Sequence, residues 1–102
     1  MTDIAELTRL MHDFVRTKGW YDPATPHPQT PRNLAISLSI EAAEILEHFQ
    51  WNGDLADAES LAEELADVLL YLLQLASVSG IDLEQAVLDK LRVNYGRTWG
   101  ER

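Results

Sequence analysis

The sequence contains no cysteine, which excludes disulfide staples, thiolate metal sites and cysteine nucleophiles. That absence points to a cytoplasmic protein, where disulfides are rare. No apolar run reaches the roughly 18–20 residues that a membrane-spanning helix needs. Thr2, Asp3 and Glu6 break up any leader-like opening. Strand-type alternation, internal repeats and low-complexity tracts are missing as well. Basic residues are scarce: 8 Lys and Arg stand against 17 Asp and Glu, for a net charge of −9. Such a balance opposes binding to polymeric nucleic acid or to an anionic membrane, although a free nucleotide can bind if a metal screens it. From Asn33 through Asp89 there are twelve acids and not one Lys or Arg.

What is present is helical. The 102 residues suit a single domain spanning 1–102, and 46% hydrophobic content supports a modest core, part of which a second subunit could complete. Helix 1 starts at Asp3 as N-cap with Glu6 as capping-box partner, has Ile4, Leu7, Leu10, Met11, Phe14 and Val15 as its apolar face, and ends near Lys18–Gly19. The segment Trp20–Gln29 holds three of the four prolines and reads as a loop. Thr30-Pro31 opens helix 2, which runs to about Trp51 before an Asn52-Gly53 break. Ser60 with Glu63 caps helix 3, which runs to about Ser79 and stops at Gly80. Asp82 caps helix 4, where Val87, Leu88 and Leu91 supply part of the buried face.

Two carboxylate pairs sit inside apolar helical patterns: Glu41 with Glu44, and Glu64 with Asp67. On helix 2, Ser37, Glu41, Glu44, His48 and Trp51 make one stripe beside an apolar stripe of Leu34, Leu38, Ala42, Ile45 and Phe49. On helix 3, Ser60, Glu64, Asp67, Tyr71 and Gln74 repeat the spacing beside Leu61, Leu65, Val68, Leu72 and Leu75. A short connection makes the two helices an antiparallel hairpin. Residues 44 and 64, and likewise 41 and 67, are equidistant from position 54 in that connection, so both pairs fall at matching heights. Bare, four such carboxylates repel and raise one another's pKa; around a hard cation such as Mg²⁺ they become ligands. The alternative is an ordinary solvated acidic face. A ferritin-like di-iron site is excluded, because it needs Glu-x-x-His on facing helices and helix 3 has no histidine. His12 and His27 read as surface or loop residues.

Taken in order, Pro31-Arg32-Asn33-Leu34, the block from Glu41 through Glu44 and Glu47 to Trp51, the block Glu63-Glu64 through Asp67 to Tyr71, and Lys90 with Asn94 resemble the MazG-like nucleotide pyrophosphohydrolases. The resemblance covers about Gly19 to Trp99 and is nearest to the dCTP-pyrophosphatase-like branch, which Ile40 ahead of Glu41 also fits. It implies an all-α fold: a four-helix MazG-like bundle whose central antiparallel hairpin is completed by oligomerisation. It implies Mg²⁺-dependent hydrolysis of (deoxy)nucleoside triphosphates to monophosphate and pyrophosphate, with Mn²⁺ as a substitute metal and a lean toward pyrimidine deoxynucleotides. By position, Glu41, Glu44, Glu64 and Asp67 would hold the metal, which positions and activates the attacking water, and Glu47 would assist that water. Lys90, Asn94 and Arg97 match the phosphate-contacting region and share one helical face, although surface charge near a helix end explains Lys90 and Arg97 equally well. Trp20 and Trp51 would stack on the base, or serve as core or interface residues; Asn33 would hydrogen-bond in the base pocket, or satisfy the helix start.

Helix 3 is apolar around a wide arc, since Leu69, Leu70, Leu72, Leu73, Leu75 and Ala76 cannot all face one intrachain core. A homo-oligomer with helices packed across a two-fold axis is expected; the resemblance implies a homodimer or a homotetramer made of two dimers, in which a bound nucleotide would contact residues from two chains. Two other functions remain open: a catalytically weak nucleotide-binding or regulatory module, and a helical dimerisation protein. Phosphoribosyl-ATP pyrophosphohydrolase is an enzymatic alternative.

Overall fold

In the computed structural model, which describes residues 1–51, 53 and 57–98, the chain forms four α-helices and, among those residues, no strand. They are α1 (Ile4–Thr17), α2 (Pro31–Glu47), α3 (Ala58–Val78) and α4 (Leu83–Tyr95). Asp3, Thr30 and Asp82 cap α1, α2 and α4 as expected, each accepting a main-chain N–H at the third helical position. Glu6 turns its carboxylate to Arg9 instead of completing a capping box.

Two helix ends differ from the sequence expectation. α2 stops at Glu47, so Trp51 lies beyond the helix. α3 begins three residues earlier than expected, because Asp57 takes the N–H groups of Glu59 and Ser60 and the Ser60 hydroxyl at 2.7 Å. A carboxylate accepts several donors at once where a hydroxyl accepts fewer, so Asp57 wins the cap. Asn52 and residue 54, on which the expected break and hairpin centre fall, lie outside the described residues.

α1 and α3 each end in a glycine at positive φ, Gly19 at 78° and Gly80 at 70°. The main-chain bonds Trp20 N–H to Val15 C=O and Gly19 N–H to Arg16 C=O form a Schellman motif, repeated as Ile81 to Ala76 and Gly80 to Ser77. The first motif sets Trp20 edge-on against Phe14, with centroids 5.7 Å apart. A Cβ at Gly19 would lie 3.2 Å from Asp22 Oδ2, and the backbone there disfavours any L side chain. Gly19→Ala is therefore expected to destabilise by about 1–2 kcal/mol, read as a lowered denaturant midpoint; an unchanged midpoint would contradict this account of the turn.

α3 is the central element: α2 packs along it most extensively, α1 packs on it less, and α4 touches it lightly. The buried apolar core is small, made of Met11, Val15, Leu34, Leu73 and Ala76. On α3 the buried positions are Leu73, Gln74 and Ala76, while Leu65 and Leu72 of the expected arc stay exposed along with Leu69 and Leu70. α4 leaves α3 at 102°. Nothing on α4 is buried, and Val87, Leu88 and Leu91 are exposed rather than core. The radius of gyration of 16.4 Å exceeds the roughly 13 Å of a closed 100-residue domain. No single helix among the described residues is long and apolar enough to cross a membrane.

Candidate active site

α2 and α3 run antiparallel. His48 at the end of α2 meets Glu64 near the start of α3, and Glu41, two turns back, shares a cleft wall with Asp67, one turn on. This arrangement places all four candidate acids in one electrostatic neighbourhood. Glu41 registers it: its carboxyl is pushed up from the ordinary value, first by partial burial, then by Glu44 beside it and by Asp67 and Glu64 from the facing helix.

The acids do not close into a cage. Among the described residues, no three His, Asp or Glu side chains are gathered tightly enough to hold an ion as they stand. Part of the reason is visible: Glu64 Oε2 lies 2.7 Å from His48 Nε2 and is occupied by that bond. The donor set still fits a hard divalent cation, because it is rich in carboxylate oxygen and because Glu41 lacks compensating positive charge.

A cleft of about 630 Å³ opens from this acidic end. That volume lies within the range for small-molecule sites. Glu41 and Asp67 line one end with Ser37 and Tyr71, while Trp20, Pro26, Pro28, Gln29, Asn33 and Gln74 line the other. Asn33 is tied to the helix start and also reaches the cleft. Its main-chain N–H is capped by Thr30, its Nδ2 donates to the Pro28 carbonyl at 3.0 Å, and it borders the cleft.

Other candidates lie elsewhere. Trp51 is 89% exposed and does not line the cleft. Glu47, the last residue of α2, borders a shallow depression with Leu46, Phe49 and Gln50. Lys90 and Asn94 sit on α4, away from the cleft lining, and Arg97 falls beyond the helix end, so the three do not share one helical face. Asn94 Oδ1 is sealed from solvent with no hydrogen-bond partner.

Sequence reasoning missed a polar network behind the cleft. His12, expected at the surface, is half-buried and bridges α1, the proline loop and α3: Nδ1 lies 2.6 Å from Tyr21 Oη and Nε2 2.7 Å from Ser77 Oγ. The nearest signal was the polar stripe of α3, which includes Gln74. Burial, and then Arg16, hold the His12 pKa below its ordinary 6.5 against a smaller opposing effect of Asp13. Between that lowered value and 6.5 the unfolded chain binds more protons than the folded one, so this stability is present above about pH 6.5 and is lost as pH falls through the folded value. The Tm of the wild type should therefore fall between pH 7 and pH 5 relative to that of His12→Gln, each ~1 kcal/mol lost being worth roughly 4–8 °C. Parallel Tm profiles would remove His12 from this role.

A hairpin of helices with paired acids at one end of a nucleotide-sized cleft defines a class of helical carboxylate proteins. The chain belongs to the MazG-like family, whose model matches residues 36–100. It is 34% identical over 103 residues to dCTP pyrophosphatase 1 of Mus musculus, an alignment covering 92% of this chain and 58% of that protein. It is 30% identical over 81 residues to the dATP/dGTP diphosphohydrolase of Cyanophage S-2L, covering 79% of this chain and 69% of that one. A crystal structure of a pyrophosphatase from Archaeoglobus fulgidus superposes with a TM-score of 0.73 at 38% identity, covering 92% of this chain and 90% of that one. The chain spans 58% of the length of the first of these curated relatives.

Proposed function

We propose that residues 1–102 form a single domain that hydrolyses (deoxy)nucleoside triphosphates to monophosphate and pyrophosphate with Mg²⁺. The observation that carries this reading is the single cleft joining the acids Glu41 and Asp67 to an aromatic and amide-lined end. Similarity to dCTP pyrophosphatase 1 and to a dATP/dGTP diphosphohydrolase supports the reaction class. Glu41, Glu44, Glu64 and Asp67 would hold the cation, which supplies positive charge against the triphosphate and a more acidic water. Trp20 offers a face for the base. Asn33 retains an amide hydrogen beyond the one given to Pro28. Ser37 and Tyr71 supply hydroxyls beside the acids.

The exposed apolar residues of α3 and α4 support assembly into a homodimer or a dimer of dimers. Lys90, Asn94 and Trp51 would then reach the cleft of a partner subunit.

The test is pyrophosphate release from a panel of deoxynucleoside and nucleoside triphosphates, with Mg²⁺ and with EDTA. Release of pyrophosphate and monophosphate that EDTA abolishes is the expected result. Binding without turnover would identify a nucleotide-binding module instead.

A further inference from the structure

The base-facing end of the cleft has a fixed polarity that can be traced atom by atom. Gln29 Nε2 lies 2.6 Å from the main-chain carbonyl of His27. A carbonyl oxygen only accepts, so the Gln29 amide must face it with nitrogen. Gln29 Oε1 is thereby turned to Gln74, and the Gln74 atom 2.8 Å away must be the donating nitrogen. The same Nε2 reaches Tyr21 Oη at 3.3 Å, which uses its second hydrogen. Tyr21 Oη in turn lies against His12 Nδ1, and His12 Nε2 against Ser77 Oγ. Each amide orientation is thus settled by chemistry, starting from one main-chain oxygen.

One atom is left over. Gln74 is only 3% exposed and lines the cleft, with both amide hydrogens committed. Its Oε1 accepts no hydrogen bond among the described residues, yet it is not sealed, since the sealed unpartnered side-chain atom among them is Asn94 Oδ1. An acceptor held this rigidly demands a donor from whatever fills the cleft.

Resting on the nucleotide reading of this cleft, we propose that Gln74 Oε1 is a specificity-determining acceptor that selects bases with an amino group at C4 of a pyrimidine or C6 of a purine. Gln74 lies deep, so a donor that projects from the ring meets its oxygen better than a recessed ring N–H. Cytosine and adenine present such an amino group. Bases with a carbonyl at that position set one acceptor against another. Pyrimidine and purine sources share this chemistry, and two substrate pairs separate them.

The experiment measures kcat/KM for dCTP against dUTP and for dATP against dITP, in wild type and in Gln74→Met, a substitution close in length that lacks the acceptor. The wild type is expected to favour the amino member of at least one pair by roughly tenfold or more. In Gln74→Met that ratio should fall to within about twofold while turnover persists. Equal kcat/KM within both pairs in the wild type overturns the proposal and leaves the hydrolase reading standing; so does a ratio that survives in Gln74→Met. No turnover of any member overturns both. If Gln74→Met does not fold, Tyr21→Phe removes the oxygen that fixes the second amide hydrogen. Its ratio is then expected to drop about threefold or more, and an unchanged ratio overturns the proposal.

Discussion

Glu41→Gln is expected to reduce Mg²⁺-dependent pyrophosphate release by roughly a hundredfold or more, the scale for losing one preorganised charge-stabilising group. The same substitution should make the metal-free protein more stable. Glu41 sits in the combined field of Glu44, Asp67 and Glu64, and its carboxyl is pushed up from the ordinary value. A carboxyl that binds its proton more tightly folded than unfolded favours folding most below both pKa values. That contribution declines as pH rises from the ordinary value of 4.5 toward the raised one. Above the raised value the burial cost and the repulsion both act on the ionised carboxylate, and an uncharged amide relieves them. In EDTA the variant should melt about 2 °C or more above wild type. Adding Mg²⁺ should raise the Tm of the wild type more than that of Glu41→Gln, because a ligand that binds only the folded state stabilises it. Loss of activity with a lower Tm in EDTA would point to a packing role for Glu41 and against a ligand role.

The second large effect is expected on the outer face of α3. Leu65, Leu69 and Leu72 form one stripe and are exposed in the single chain. A glutamate at position 69 would then be an ordinary surface change, within about 0.5 kcal/mol. In an assembly that packs this stripe across a two-fold axis, it is an unpaired buried charge costing about 3–5 kcal/mol. Leu69→Glu should weaken self-association by roughly two to four powers of ten. Sedimentation at micromolar concentration should then show single chains where the wild type shows dimers or tetramers. Activity should fall with association if Lys90 and Asn94 act on a partner's cleft. Equal masses for the two proteins would place the interface elsewhere.

The helix starts at Asp3, Thr30 and Asp82 were legible because a cap is local chemistry, complete within four residues. The start of α3 was placed at Ser60, because Ser60 with Glu63 has the capping-box spacing and only the structure shows Ser60 serving Asp57 instead. The helical spacing of the acids brought Glu41 and Asp67 to one cleft, but it gave no sign that His48 would occupy Glu64. His12 was misjudged because its partners, Tyr21 and Ser77, lie 9 and 65 residues away. The expected α4 face failed for a related reason: its apolar residues follow helical periodicity, and periodicity says nothing about which chain covers them.

The amide chain that ends at Gln74 begins at the His27 carbonyl, an atom no side-chain replacement at position 27 can remove. Its direction is encoded in the path of the proline loop more than in the residue found at 27. Point changes there leave the donor and acceptor order intact, while an insertion or deletion between Tyr21 and Gln29 re-aims it. Among related chains, base preference should accordingly diverge in step with the length of this loop, even where the acids of α2 and α3 are the same.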